Sequence, residues 1–318
     1  MHKIAILSAG WYVHSEAQKS LEFIKECGFD AIDFSMDQYL DTGKANSDGV
    51  FVTKKGLETI LEKSKEEVIE YFKPLKEASD ATGVLVGQMH SPFPMWFDKN
   101  PELNEHLADV LDKCLAVCEY LGCPAIVVHP IYRGTLALEE ESNLAQYRRF
   151  IPIIKKYKGI KICLENIFAR MHNVPTKRIV EGRLCNARDA VELIDLLNSE
   201  AGGDYFGFCL DIGHALLTRR SVSEFIRALG NRLTVLHIHE NDGEDDLHCM
   251  PYTCLDTATK NTICDWVGFV DALREIDYKG TICFESFRIF HSFPKAVHAE
   301  ALKLTSAIGR YWAEQLEK

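Results

Sequence analysis

The chain has 318 residues, 47% hydrophobic and 26% charged, enough for a sizeable core in one large domain or two small ones. Its formal net charge of -11 leaves no overall basic field for a polyanion, which counts against a nucleic-acid partner, and no apolar run reaches membrane-spanning length. The eleven cysteines sit mainly inside apolar patterns and no CxxC occurs, so they read as reduced buried thiols of a cytoplasmic enzyme rather than as disulfides or a zinc ribbon.

The N-terminal MHKIAILSAGWYV places a lysine before a short apolar run, as a signal peptide would, but no small-residue cleavage site follows and an amphipathic helix begins at once. It reads as a first strand. Apolar, β-branched runs then alternate with helical patterns: strands over 3–8, 31–35, 84–90, 125–129, 161–166, 206–211, 234–239 and 281–286, and helices over 15–27, 54–82, 101–121, 138–157, 187–198, 221–229, 262–276 and 295–316. Asn100 and Pro101 suit a helix start, and Gly122 and Gly159 suit helix ends. Alternating strands and helices imply parallel βαβ units, and eight of them in this length predict an α/β fold of the closed (β/α)8 TIM-barrel type, as a single domain over 1–318. The alternative, a doubly wound open sheet, wants a Gly-rich phosphate loop after the first strand, where SAGWYVHSE stands.

Three strands echo one another. Cys163-Leu164-Glu165, Cys209-Leu210-Asp211 and Cys283-Phe284-Glu285 each put an acid on the same face as a cysteine two residues earlier, with the larger side chain between them facing the helices. The acids therefore point into the barrel, at the strand C-termini where barrel enzymes build their sites. An inward carboxylate needs a metal, a cation or a proton. An internal ion-pair network is the alternative, although the strand ends offer no inward Lys or Arg. The stretch LHIHENDGEDDLH adds His237, His239, Asp246 and His248 where a strand gives way to a polar loop turned at Gly243. His237 and His239 share the parity of Val235, and imidazole and carboxylate are the ligands that Mn, Co or Zn prefer. A solvated loop with scattered histidines is the competing reading. His90 and His129 end the third and fourth strands, and His214 follows Asp211 in the turn DIGH.

CLEN, LDIGHA, HIHENDG and FES, in this order and spacing, resemble the xylose-isomerase-like TIM-barrel superfamily, which includes sugar-phosphate isomerases and epimerases, ketose 3-epimerases, inosose dehydratases and endonuclease IV. The resemblance covers nearly the whole chain. It implies one divalent metal held by Glu165, Asp211, His237 and Glu285, the same four residues that strand parity selects. It also implies a sugar or sugar phosphate passing through an enediolate, with Glu165 and Glu285 removing and returning the proton and His214 binding a substrate hydroxyl.

Endonuclease IV, in the same superfamily, holds three zinc ions with further ligands, and His90, His129, His214, Asp246 and His248 stand at corresponding places. They are expected either to bind substrate or to hold additional metal. Against the nuclease, SPFPMWFDKN after His90 lacks that enzyme's sequence. Phe93 and Trp96 in that segment are candidates to stack on a sugar, with rim packing as the alternative. Arg133 in HPIYRG and Arg288 after Glu285 are candidate anion contacts. The connection from Phe168 to Asn186, which carries Arg170, Lys177, Arg178 and Arg183, is a candidate lid, subunit contact or solvated loop. After His248 the family's Pro-Gly turn is replaced by CMPYTCLDTATKN, which rebuilds the substrate-facing loop.

The expected activity is thus a divalent-metal-dependent sugar or sugar-phosphate isomerase or epimerase. A keto-sugar dehydratase, an endonuclease-IV-like zinc phosphodiesterase and a metal-free sugar-binding scaffold are the other readings. Two glutamates, an aspartate and one histidine favour Mn2+ or Co2+, and added histidines shift the balance toward Zn2+, up to three ions. The oligomeric state stays open, a homo-oligomer included.

Overall fold

The chain is described here by a computed structural model covering residues 2–40, 60–97, 100–131, 136–170, 179–256 and 258–318. Eight parallel strands run β1 (Ile4–Leu7), β2 (Ala31–Ser35), β3 (Leu85–His90), β4 (Ala125–Val128), β5 (Lys161–Glu165), β8 (Phe206–Asp211), β9 (Leu233–His237) and β10 (Ile282–Phe284), in the order β10-β1-β2-β3-β4-β5-β8-β9. The sheet closes between its outer strands: Ile238 N–H donates to Cys283 O and Glu285 N–H to Ile238 O. This is the (β/α)8 barrel. A separate antiparallel hairpin, β6 (Phe168–Arg170) with β7 (Ile179–Glu181), rises from the connection after β5.

Among the described residues the α-helices are α1 (Ala17–Glu26), α2 (Lys65–Tyr71), α3 (Lys73–Thr82), α4 (Pro101–Leu121), α5 (Leu136–Ile154), α6 (Ala187–Ala201), α7 (Ile212–Leu217), α8 (Val222–Leu229), α9 (Trp266–Glu275), α10 (Arg288–Ser292) and α11 (His298–Leu316). The expected helix over 54–82 is two helices in its described part, because Pro74 in the first turn of α3 cannot continue α2, which starts with a Ser64/Glu67 capping box. Residues 54–59 lie outside the described residues. Asn100 caps α4 by accepting from Leu103 N–H, and Gly122 closes it at φ +71.

Strand parity sorts the core into two populations. Small side chains fill the barrel, with Ala5, Ala31 and Cys283 in one cluster and Ala125, Val127, Cys163, Cys209 and Val235 in another. Ile6, Phe34, Met89, Leu164, Leu210, Leu236 and Phe284 instead pack outward among the helices. Two irregularities adjust this alternation. The register between β2 and β3 skips Gly87, so that Gln88 pairs Asp33 and His90 pairs Ser35, while Met89 packs outward against Cys118 of α4. Between β8 and β9 the skip falls at Thr234, leaving Val235 and His237 on the inner face.

Candidate active site

The three acids of the Cys-x-acid pattern, Glu165, Asp211 and Glu285, lie buried at the C-terminal ends of β5, β8 and β10. Glu165, Asp211, His237 and Glu285 each offer a ligand atom, all within 4.8 Å of one another. His237 Nδ1 lies 3.2 Å from Glu165 Oε1 and 3.6 Å from Glu285 Oε2. Divalent-metal bonds of about 2.0–2.2 Å put tetrahedral ligand atoms about 3.3–3.6 Å apart, so these spacings have the size of a coordination shell. The carboxylates lie deep, with Asp211 fully buried and Glu165 1% exposed.

The second oxygen of Glu165 faces another cluster. His129 Nε2 lies 2.9 Å from Glu165 Oε2, in ion-pair range but outside hydrogen-bond geometry. His90 Nε2 lies 3.7 Å from that oxygen and 3.2 Å from His129 Nε2. A third group forms around Asp246 Oδ2, with His248 Nε2 at 3.1 Å and His214 Nε2 at 3.5 Å. The residues read from the sequence as substrate or additional-metal groups therefore flank the four-residue cluster on both sides.

How the imidazoles are held decides which nitrogen faces the centre. His90 Nδ1 lies 2.8 Å from Ser91 O, His214 Nδ1 2.8 Å from Asn166 O, and His248 Nδ1 3.1 Å from Glu285 O. A carbonyl only accepts, so each Nδ1 carries a proton and each Nε2 is the nitrogen turned to the site. His237 is the reverse: its Nε2 lies 2.9 Å from Asp33 Oδ2 and its Nδ1 faces the carboxylates. His239 sets its Nε2 3.1 Å from both oxygens of Asp211. Asp211 also caps α7 by accepting from His214 N–H, so DIGH is the first turn of a short helix rather than a free turn. Asn166 clips the ends of β5 and β8 together, donating to Asp211 O and accepting from Asp211 N–H.

The electrostatics follow from this packing. Burial alone would push Glu165 and Asp211 up, but the histidines around them hold Glu165 well below its usual range and Asp211 below its own. Burial likewise opposes protonation of the imidazoles, yet the carboxylates prevail. Glu165 raises His90 to about 9, and Glu285 and Asp246 raise His248 to about 9. His214 and His237 are held well above the ordinary imidazole value, His214 chiefly by Asp211 and Asp246, and His237 by Cys209, Glu285 and Glu165. Without an ion, imidazolium protons neutralise the acids. That is the internal network weighed as an alternative, built from histidine. A divalent ion replacing protons would meet carboxylate oxygens and bare imidazole nitrogens, so the donor set fits one.

A family model described as Xylose isomerase-like TIM barrel matches residues 21–307. The chain belongs to that family. An uncharacterized protein of Sinorhizobium fredii is 24% identical over 311 residues, spanning 94% of this chain and 91% of that protein. Among solved structures, this xylose isomerase-like barrel is similar to the D-psicose 3-epimerase with D-tagatose from Clostridium cellulolyticum H10, at TM-score 0.68 and 15% identity over 97% of this chain and 98% of that one. It is also similar to the apo form of 3-keto-D-glucoside 4-epimerase from E. coli, at TM-score 0.66 and 14% identity over 98% and 100%. At these identities the likeness to solved structures is one of fold.

The more peripheral candidates of this xylose isomerase-like barrel separate. Phe93 reaches the site, with its ring 4.9 Å from that of His129, while Trp96 sits half-buried three residues on. Arg288 is exposed on α10 and donates to Ser292 Oγ, and Arg133 lies outside the described residues. In the candidate lid, Phe168 packs its ring 5.2 Å from His214, so the foot of the β6–β7 hairpin forms a site wall. Lys177 and Arg178 lie outside the described residues. The rebuilt loop after His248 wraps Glu240, whose carboxylate accepts from Thr253, Cys254 and Cys264 N–H.

Asp33 and Gln88 carried no role in the sequence reading, where His239 stood only among the metal-capable side chains of its strand. Asp33 obeys the parity rule that found the other acids, since it shares a face with Ala31, but it stands two residues short of its strand's end. Gln88 was hidden by the skip at Gly87.

Proposed function

We propose that the protein is a divalent-metal-dependent isomerase or epimerase of a sugar or sugar phosphate, moving a proton at a carbon beside a carbonyl. The observation that carries this reading is the convergence of Glu165 and Glu285 on His237 Nδ1, with Asp211 completing the group. Glu165, Asp211, His237 and Glu285 would hold the ion, whose charge would stabilise the enediolate form of the sugar. Glu165 and Glu285 each have a second oxygen, so either carboxylate can take a proton from one face of a substrate carbon while the other returns one. His214, fixed with Nδ1 on Asn166 O, directs Nε2 toward a substrate hydroxyl. Phe93 and Phe168 form apolar walls on which a sugar ring or chain can rest. The solved structures of like fold, an epimerase of a ketose and one of a keto-glucoside, support a sugar as the substrate class.

The test is deuterium uptake from D2O into a panel of ketoses, with and without phosphate, after loading with Mn2+ or Co2+. Wild type should exchange one carbon-bound proton of its substrate, and Glu165→Gln should not. Exchange retained in that variant would remove Glu165 from its role.

A second reading has its own observation. Glu165 turns Oε1 to His237 and Oε2 to His90 and His129, as a carboxylate bridging two ions would, and His214, Asp246 and His248 form a third group. A site holding several zinc ions could activate water against a phosphodiester. Cleavage of an abasic duplex that is lost in Asp246→Ala would support it. No cleavage by the zinc-loaded protein would end it.

A further inference from the structure

Beneath the four-residue cluster, a buried carboxylate on the opposite half of the barrel reaches across to His237. Asp33 of β2 and His237 of β9 are both fully buried, and Asp33 Oδ2 lies 2.9 Å from His237 Nε2. The same oxygen accepts from Gln88 Nε2 at 2.8 Å, and Gln88 also donates to Leu236 O at 3.3 Å, beside His237 in the chain. Gln88 is fully buried too, and it points inward only because β3 skips Gly87. A carboxylate and an amide are therefore spent, in the apolar interior, on the far edge of one imidazole.

We propose that Asp33, held by Gln88, is a positioning residue that fixes His237 with its proton on Nε2 and its Nδ1 lone pair directed at the metal. This rests on the metal reading above. The physical reason is that an imidazole carries its ligand lone pair on one nitrogen only when the other is protonated. A carboxylate acceptor at Nε2 enforces that tautomer, fixes the ring plane and makes Nδ1 a stronger donor; such partners typically change metal affinity about 10–100-fold. Gln88 shares the burden by turning Asp33 Oδ2 toward the ring and by tying the side chain to the β9 backbone. The other site imidazoles with an Nδ1 anchor, His90, His214 and His248, are held by neutral main-chain carbonyls and present Nε2. His237 differs from these three in having a carboxylate on the nitrogen turned away from the four-residue cluster and in presenting Nδ1.

The experiment titrates metal-stripped wild type, Asp33→Asn, Asp33→Ala and Gln88→Leu with Co2+, following heat and the visible Co2+ absorption. Asp33→Ala should weaken binding about 10–100-fold and alter the Co2+ bands. Asp33→Asn, which keeps an acceptor but loses the charge, should fall between, and Gln88→Leu should move in the same direction by less. Unchanged affinity and bands in folded Asp33→Asn would overturn the proposal while leaving the metal reading standing. A wild type that binds no Co2+, Mn2+ or Zn2+ would overturn the metal reading and this proposal with it. Histidine-selective 15N NMR of the metal-loaded wild type needs no variant: His237 should show a protonated Nε2, and a proton on Nδ1 would overturn the assignment.

Discussion

Gly213 is the position where one methyl group should separate folding from function. It lies in α7 against the His239 ring, and a Cβ built there would stand 1.9 Å from His239 Cε1, 2.4 Å from Nδ1 and 2.5 Å from Nε2. Ordinary carbon contacts are about 3.5–4.0 Å, so in Gly213→Ala the ring must retreat by about 1.5 Å or more. It has no room, being fully buried, stacked on His248 at 4.0 Å and bonded through Nε2 to both oxygens of Asp211. Overpacking of this kind costs about 1–3 kcal/mol, and replacing a helical glycine by alanine returns about 1 kcal/mol, so the net loss of stability is about 2 kcal/mol at most. The site suffers more, because His239 bears on Asp211, and displacing that group by about 1 Å can cost about 100-fold in rate. Thermal melting should therefore fall by only a few degrees, while Co2+ affinity and substrate proton exchange collapse. Wild-type metal binding and exchange in the folded variant would show that the site does not depend on the position of His239.

Other consequences are tested separately. Burial alone would push the Asp112 carboxyl up, but hydrogen bonds from Lys65, Tyr157 and Lys156 hold it below its usual range. A depressed folded value gives stability that is present above the unfolded value of about 3.9 and lost as pH falls through the folded one. Asp112→Asn should thus melt lower than wild type at pH 7, with the gap closing below about pH 4; a gap independent of pH would contradict this. Trp312, 1% exposed and stacked on Trp266 at 5.0 Å, pins α11 to the barrel, so Trp312→Ala should lose about 3–5 kcal/mol in urea unfolding. A loss under about 1 kcal/mol would show that the aromatic cluster is dispensable. Adding Mn2+ or Co2+ at about 100 times its dissociation constant should stabilise wild type by about 2.7 kcal/mol, and Glu285→Gln should lose that gain. Equal stabilisation of both would place the ion elsewhere.

The barrel and most of its candidate site were legible because two simple periodicities coincide. The strands β5, β8 and β10 alternate small inward and large outward residues, so the acids two positions beyond Cys163, Cys209 and Cys283 had to face inward at the strand ends. What escaped depends on departures from that alternation or on contacts across the barrel. The skipped Gly87 reverses the parity of Gln88, and nothing local to β2 announces that Asp33 meets a histidine 204 positions away. Pro74 was present in the sequence, but the amphipathic pattern on both sides of it runs on as one helix. The β6–β7 hairpin lacks any apolar run of strand length, and α7 is only six residues long, so neither produces a periodic signal.

The most direct test of the account is the metal content of protein purified without chelator, by elemental analysis, for wild type, Glu165→Gln and Glu285→Gln. About one divalent ion per chain, Mn2+ or Co2+, is expected in the wild type, with its loss from both folded variants. A wild type that exchanges its substrate's proton with no divalent ion bound, or variants that keep the full complement, would contradict it.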